Sequence, residues 1–518
     1  MAKTSSDIHQ GKPDSGAPSQ KEEMYGSEER IEQGVTSALT AAQEAELWRR
    51  IDLRLMPMII LMCLLSSMDK SNIGSAKLDG LIAQLNLAGN KYNIALMIYF
   101  IVSHLMRAFR LIHERVVQPP ILLEFSSNLV IHVIRPSKWL PGIMILSGLV
   151  MMLMGFVTTY PQLVGVRVCL GVAEAGLYPG VVYYITVWYP KYMCQYQLAL
   201  LWGAGSLAGV FSGLLAYAIG FMDGDDGLEA WSWVFIFEGV ATMLVGSIAV
   251  FMDYPSTAKF LTAEERSFVI EKKGRDDAED EEQHVSQQVW AAFTDWQIWA
   301  LSVVQISFAV PLYGITYFLP TITYGFGYST SISQLLTVPP YALATVTVLV
   351  FAYFSDKTKL RSPFIFAAQL ITLLGYVINI SEVPPGLKYF GTYMCVIGSY
   401  AGIPGATSWL ANNLRGKYKR SIGMALQISV GNLGGVIGSN IFRIQDGPRY
   451  LLGYGMEIVF ISVGLVAVPV TVLAYTCMNA QIDHEELLEK QQGQNAESKQ
   501  EGGNSSISSR ASGFRYTL

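Results

Sequence analysis

The stretch Leu163–Tyr189, LVGVRVCLGVAEAGLYPGVVYYITVWY, decides how this chain is read. It is long enough to cross a bilayer as a helix, which takes about 20 mostly apolar residues. Yet it carries Arg167 and Glu174. Charged groups in a spanning helix are costly, and they face a bundle interior or a water-filled cavity. Their spacing is close to two helical turns, so they share one face. Gly171, Gly176 and Gly180, with Ala173 and Ala175, let neighbouring helices approach closely. The pattern predicts a polar cavity lined by a cation and a proton-titratable acid. An internal ion pair that only fixes packing is the plainer alternative.

Composition places the whole chain in a membrane. Of its 518 residues 51% are hydrophobic and 15% charged, against about 25% charged in soluble domains. The net charge of -5 carries little information, because the acids sit largely in tails and loops. Cys63, Cys169, Cys194, Cys395 and Cys477 show no CxxC or metal spacing, and most lie inside apolar runs as packing residues. No GxxxxGK[ST], no glycine fingerprint after a strand and no metal cluster is readable. No enzyme activity, nucleic-acid partner or cofactor is therefore expected, apart from a proton gradient.

Taken in order, residues 1–47 are polar and read as a disordered cytosolic tail rather than a cleavable signal. A first span from Leu53 to Ser71 ends in MDKSNIG, placing Asp69 and Lys70 in its outer half. Lys70 meeting an anionic substrate competes here with a pair that snorkels to water. The second span starts as YNIALMIYFI and then breaks down: Val102–Gln118 brings in His104, Arg107, Arg110, His113, Glu114 and Arg115. Joining Ile101 to Pro119 restores an ordinary span, so the segment reads as a translated, unspliced intron. Val-Ser is encodable by a GTAAGT donor and Gln by a CAG acceptor. A basic amphipathic insertion on the membrane surface is the alternative. Later spans fall near 140–160, 163–189, 198–220, 231–252, 296–320, 333–354, 363–381, 388–411, 421–441 and 453–478.

The fold class expected is an all-α membrane protein with twelve transmembrane helices in two six-helix bundles, residues 48–252 and 295–480. A cytosolic interdomain loop, 253–294, joins them, and a disordered tail, 481–518, follows. Lys and Arg fall on alternate loops, which places both termini and the central loop in the cytosol.

In combination, MDKSNIG, YNIAL, EFSSNL followed by RPSKWLPG, RVCLGVAEAGLYPG, DYPSTAKFLTAEER and NNLRGKYKRSIGMALQISVGNLGGVIGSNIF resemble the major facilitator superfamily. More closely, they resemble its fungal allantoate-permease branch of anion:cation symporters, which includes nicotinate, pantothenate and biotin permeases. The resemblance covers about residues 48–480. It implies proton-driven import of a small carboxylate across the plasma membrane, with small organic anions, protons and the bilayer as partners and a monomer as the unit. The family's Asp–Arg pair matches Asp69 and Lys70. Lysine keeps the charge but loses the bidentate fork that arginine offers a carboxylate. Arg167 and Glu174 match the fourth-span pair, with Glu174 as the proton-coupling acid and Asp69 modulating it. Glu124 matches a second-span carboxylate with a gating or packing role, and Asp356 with Arg361 resembles the gate loop between spans eight and nine.

A carboxylate carrier needs a cation in its cavity to offset desolvation of the anion. Lys70 and Arg167 are the candidates. In the expected cycle a proton on Glu174 frees Arg167 from pairing, and substrate competes for it. Tyr178, Tyr313 and Tyr317 are candidate stacking surfaces for a flat acid, with bundle packing as the alternative. Asn432 is a candidate substrate or interhelical ligand. Nicotinate leads the expected substrates, ahead of allantoate, pantothenate and biotin. The rivals are an uncoupled facilitator or exporter, a nutrient sensor on a transporter fold, and an inactive product if 102–118 is translated.

Overall fold

Long apolar runs leave the backbone one way to satisfy its N–H and C=O groups in hydrocarbon without sheet closure, the α-helix. The computed structural model describes residues 40–116, 136–189, 191–250, 258, 260–278, 285–414, 417–447, 449–497 and 515–517, and its regular elements are all helical. Its contacts divide the chain into two units, 1–51 and 52–518. In the first, Thr40 and Gln43 form a reciprocal cap: Thr40 N and Oγ1 donate to Gln43 Oε1 at 3.0 and 2.9 Å. Trp48 Nε1 donates to Glu44 Oε1 at 3.1 Å.

The division falls within α1 (Ala41–Ala76), whose line continues through a π-type turn at Lys77–Leu81. The N-terminal bundle adds α2 (Lys91–Val116), α3 (Pro136–Met154), α4 (Tyr160–Glu174), α5 (Leu177–Trp188), α6 (Lys191–Ile219) and α7 (Ala230–Ala249). α8 (Ala263–Ala278) and α9 (Val285–Thr294) form the connection. The C-terminal bundle comprises α10 (Trp296–Tyr324), α11 (Thr330–Leu335), α12 (Val338–Thr358), α13 (Ser362–Ile380), α14 (Pro385–Asn413), α15 (Lys417–Ile441) and α16 (Leu451–Glu497). Among the described residues eight helical stretches are long and apolar enough to cross a membrane on their own. The α2, α3, α4–α5 and α14 segments occupy the other four positions, so the protein is an all-α membrane protein of twelve spans in two six-helix bundles.

Four elements differ from the sequence reading. Leu163–Tyr189 remains one span but is interrupted at Ala175–Gly176, directly after Glu174, where both residues keep helical φ/ψ. Val102–Val116 continues α2 without interruption. The central connection, read as a loop, contains α8 and α9. Beyond position 481, α16 carries on to Glu497 instead of losing structure.

The bundles meet along two seams, α2 against α15 and α6 against α12. Each seam sets an aromatic ring of one half on a glycine of the other. A Cβ on Gly435 would sit 2.5 Å from the Phe100 ring, and one on Gly209 2.6 Å from the Tyr341 ring. Such small-residue contacts bring backbones together where lipid offers no hydrophobic drive. Inside the N-terminal bundle α3 and α7 approach as closely, and a Cβ on Gly148 would lie 2.7 Å from Gly239 O and 2.8 Å from Met243 N. Both are backbone atoms and cannot rotate away. Gly148→Val should therefore cost about 1–3 kcal/mol by overpacking and lower the melting midpoint in detergent. Gly142→Val, where nothing lies within 4 Å, should melt like the parent; equal midpoints for both would contradict this packing.

Candidate functional site

The polar centre is built where α1, α4, α6 and α7 bring side chains into the N-terminal bundle. Asp69, Asn72, Arg167, Glu174 and Glu238 are all buried, none more than 2% exposed. Glu174 ends α4, just before the interruption, so its carboxyl reaches sideways to two elements. Lys70 Nζ of α1 stands 3.6 Å from Glu174 Oε2, and the Tyr99 hydroxyl of α2 donates to the same oxygen in a short hydrogen bond. Lys70 also donates to Ser66 Oγ at 3.4 Å. The cation paired with Glu174 is thus Lys70. The pairing with Arg167 expected from the sequence is not among the described contacts. Arg167 lies one side nearer the loop that opens α4, among Tyr92, Tyr99 and Tyr317, and its Nε and Nη2 have no hydrogen-bond partner.

Glu238 of α7 was missed by the sequence reading. An acid inside the apolar run WSWVFIFEGVATML was the available signal. Asn72 Nδ2 donates to Glu238 Oε2 at 2.6 Å, and Ser212 of α6 donates to Asn72 Oδ1. Asp69 lies against the carboxyls of both Glu174 and Glu238 and receives no hydrogen bond on either oxygen. Three buried carboxyls therefore face two cations, Lys70 and Arg167. Ionised carboxylates without donors are too costly to bury together. One proton placed between these carboxyls makes the cluster neutral and gives Asp69 a hydrogen-bond partner.

Beside this cluster lies a cavity of about 20 Å³ lined by Lys70, Tyr99, Phe100, Ser103, His104, Tyr313 and Asn432. It holds on the order of one water, so a substrate requires the halves to part. The lining comes from both bundles. Tyr313 Oη donates to Asn432 Oδ1 at 3.3 Å, and Tyr313 stacks on Tyr317 with centroids 6.2 Å apart. Tyr317 is buried behind it. Tyr178 does not line the cavity; it packs on Trp202 at 5.9 Å. Asp356 and Arg361 are joined at 2.5 Å, and Arg361 Nη1 also donates to Ser355 Oγ at 3.0 Å. Glu124 lies outside the described residues.

The face where α1 passes into its π-type turn is closed by contacts between the halves. Gln334 Nε2 donates to both Asp79 carboxylate oxygens at 2.7 Å. Asn93 Nδ2 donates to Phe442 O at 3.2 Å. Lys77 Nζ sits over the rings of Phe318 (4.8 Å) and Tyr92 (5.2 Å) with no hydrogen-bond acceptor.

Residues 59–439 match the family model described as Major Facilitator Superfamily. The chain belongs to that family. Among relatives, the MFS-type transporter cnsO of Penicillium expansum is 32% identical over 438 residues, 82% of this chain and 81% of that protein. The high-affinity nicotinic acid transporter of Saccharomyces cerevisiae is 28% identical over 420 residues, 80% and 75% of the two chains. Solved structures agree in fold. A bacterial homologue of the lysosomal transporter Spinster, inward-facing and occupied, gives a TM-score of 0.58 at 15% identity over 81% of this chain and 96% of that one. The Escherichia coli xylose transporter XylE, partially occluded and inward open, gives 0.56 at 15% identity over 80% and 95%. Members of this superfamily are membrane transporters and not enzymes, so the protein moves a small molecule across a membrane.

The charge arrangement makes a stability prediction. Lys70→Met leaves Glu174 with a hydroxyl partner but no cation. Lys70 is about a quarter exposed, so the full cost of breaking a buried pair is reduced to about 1–3 kcal/mol, and the melting midpoint should fall by a few degrees. Glu238→Gln keeps an acceptor for Asn72 and removes one excess acid, so its midpoint should stay at or above the parent's. The reverse order would refute the assignment of excess acid.

Proposed function

We propose that the protein is a proton-coupled symporter that imports a small organic carboxylate, with nicotinate the first candidate and allantoate, pantothenate and biotin next. One observation carries this reading: three buried carboxyls, one buried cation, Arg167, and the partly exposed Lys70 stand beside a cavity walled by both halves. An incoming carboxylate adds a negative charge to a cluster already one positive charge short, so anion entry and protonation favour each other. Arg167 and Lys70 are the anion's partners. Glu174 is the group whose protonation releases Lys70 from its ion pair, so that Lys70 turns to the substrate. Asp69, which faces both Glu174 and Glu238, passes the proton between them. Tyr313 and Asn432 supply the opposite wall, with Tyr317 stacked behind Tyr313, and a tyrosine ring suits a flat aromatic acid. The name of the yeast nicotinic acid transporter supports the substrate class.

In this reading the protein acts as a monomer in the plasma membrane with both termini cytosolic. Asp356 and Arg361 belong to a gate loop on the terminal face, and coupling needs no cofactor besides the proton gradient.

The test is labelled nicotinate uptake in a yeast lacking its own carboxylate permeases, at acidic and neutral pH, with and without a protonophore. Uptake should rise in acid and collapse with the protonophore. Glu174→Gln should abolish concentrative uptake, by at least tenfold, while counter-exchange of preloaded nicotinate persists. Unchanged pH-driven accumulation in that variant would sink the proposal.

The segment 102–118 is tested in the same assay. Ser103 and His104 line the cavity and Val102 packs on Gly171. The intron reading places uptake only in a chain lacking 102–118. Uptake by the full chain alone makes the segment part of the working protein.

A further inference from the structure

The end of the chain makes a set of contacts that transport does not use. We propose that Arg515–Thr517 are a tethered peptide ligand, held in a receptor formed by Trp409, Asn413, Tyr475 and Asn479 on the terminal face of the C-terminal bundle. The inference is independent of the substrate and coupling proposed above.

Two asparagines read the peptide backbone. Asn479 Oδ1 accepts from Tyr516 N at 2.8 Å, and its Nδ2 donates to Tyr516 O at 2.9 Å. Asn413 Oδ1 accepts from Thr517 N at 2.7 Å, and its Nδ2 donates to Thr517 O at 3.1 Å. Trp409 Nε1 donates to the same carbonyl at 2.8 Å. These five bonds satisfy donor and acceptor of two successive peptide units from side chains on two helices, α14 and α16. Asn413 and Trp409 are buried, at 2% and 0% exposure. With the tail docked these groups are covered, and its backbone supplies the partners that covered amide and indole groups need.

Side chains of the tail add selectivity. The Tyr516 ring lies parallel to that of Tyr475, at 5.2 Å and 6°. Arg515 forks onto Glu486 at 2.9 and 2.8 Å and meets Asp483 at 2.6 Å. The arginine pairs are solvent-exposed and contribute little to affinity; they bias which peptide docks. Backbone bonds and ring stacking hold it.

The tether allows exchange. From Asn479 to Glu497 α16 rises roughly 27 Å, within the roughly 55 Å that residues 498–514 reach when extended. A tether of this length gives an effective concentration in the millimolar range, so a site that binds free peptide at about 10–100 μM stays filled by its own tail. Docking ties the end of α14 to the middle of α16, and release exposes an aromatic face at Trp409 and Tyr475.

The test uses the full chain in detergent and fluorescent peptide GFRYTL. The parent, its site occupied, should show no binding at peptide concentrations up to about 100 μM, well below the effective concentration of the tether. The full-length double variant Tyr516→Pro/Thr517→Pro, which lacks both backbone N–H donors and the stacking ring, should bind with a Kd of about 10–100 μM, and saturating peptide should restore any lost melting midpoint. Adding Asn479→Ala to that variant should weaken binding at least tenfold. A peptide N-methylated at the threonine nitrogen should lose binding comparably, on a protein that is unaltered. Absence of binding by the undocked variant, equal binding by the parent, or equal binding of the N-methyl peptide would each overturn the proposal.

Discussion

The structure depends on how unlike charges are answered inside hydrocarbon. Asp69, Glu174 and Glu238 converge from three helices, each nearly inaccessible to bulk solvent. Lys70 and the Tyr99 hydroxyl answer Glu174; Asn72, itself held by Ser212, answers Glu238. Asp69 is left facing two carboxyls. Helices that pack only through methyl groups and glycines gain little from one arrangement over another. A polar network with fixed donors and acceptors selects one, because every alternative leaves a charge unpaired. The centre of the N-terminal bundle is in this sense set by electrostatics and its periphery by close packing.

The two seams have the opposite character. Phe100 against Gly435 and Tyr341 against Gly209 are contacts of shape, and the second seam adds one neutral hydroxyl pair, Ser206 and Thr345 at 3.0 Å. The link across the halves that uses a carboxylate, Asp79–Gln334, lies with Asn93–Phe442 on the face where α1 passes into its π-type turn. A molecule whose halves pivot needs weak seams along the axis and breakable polar latches at the ends. That division of roles follows from which residue types occupy each place.

Much of this was legible in the sequence, for identifiable reasons. Span number and the six-plus-six layout follow from hydropathy, because the bilayer imposes helix length. Arg167, Glu174, Asp69 and Lys70 stood out because charges inside apolar runs are rare. The pairing among them was not legible: which cation meets Glu174 depends on how α1 and α4 rotate against each other, and spacing along one helix does not encode that. Glu238 was within reach of the same rule that found Glu174 and was passed over. The interruption after Glu174 was masked by apolar residues that continue the helical pattern past it. Order at the C-terminus was hidden for a different reason. Residues 515–517 are too few to show a pattern, and their backbone partners are asparagines far away in sequence, Asn413 and Asn479.

Lys77 extends the charge argument across the membrane. It follows Lys70 by two helical turns, so both ammonium groups lie on one side of the α1 line. Lys70 has a carboxylate, whereas Lys77 has only the rings of Tyr92 and Phe318, one from each half. Cation–π attraction offsets part of the desolvation of an ammonium, about 2 kcal/mol when it is shielded from water, but it does not replace a counter-ion. The closed arrangement therefore holds a cation that gains from any separation of the two rings, since separation readmits water. The Asp79–Gln334 latch opposes that gain on the same face. Closure there is a balance between an unpaired cation and a hydrogen-bonded carboxylate, and small changes in either shift it. A membrane transporter that must open this face in every cycle is served by a latch set near balance rather than one made as strong as its parts allow.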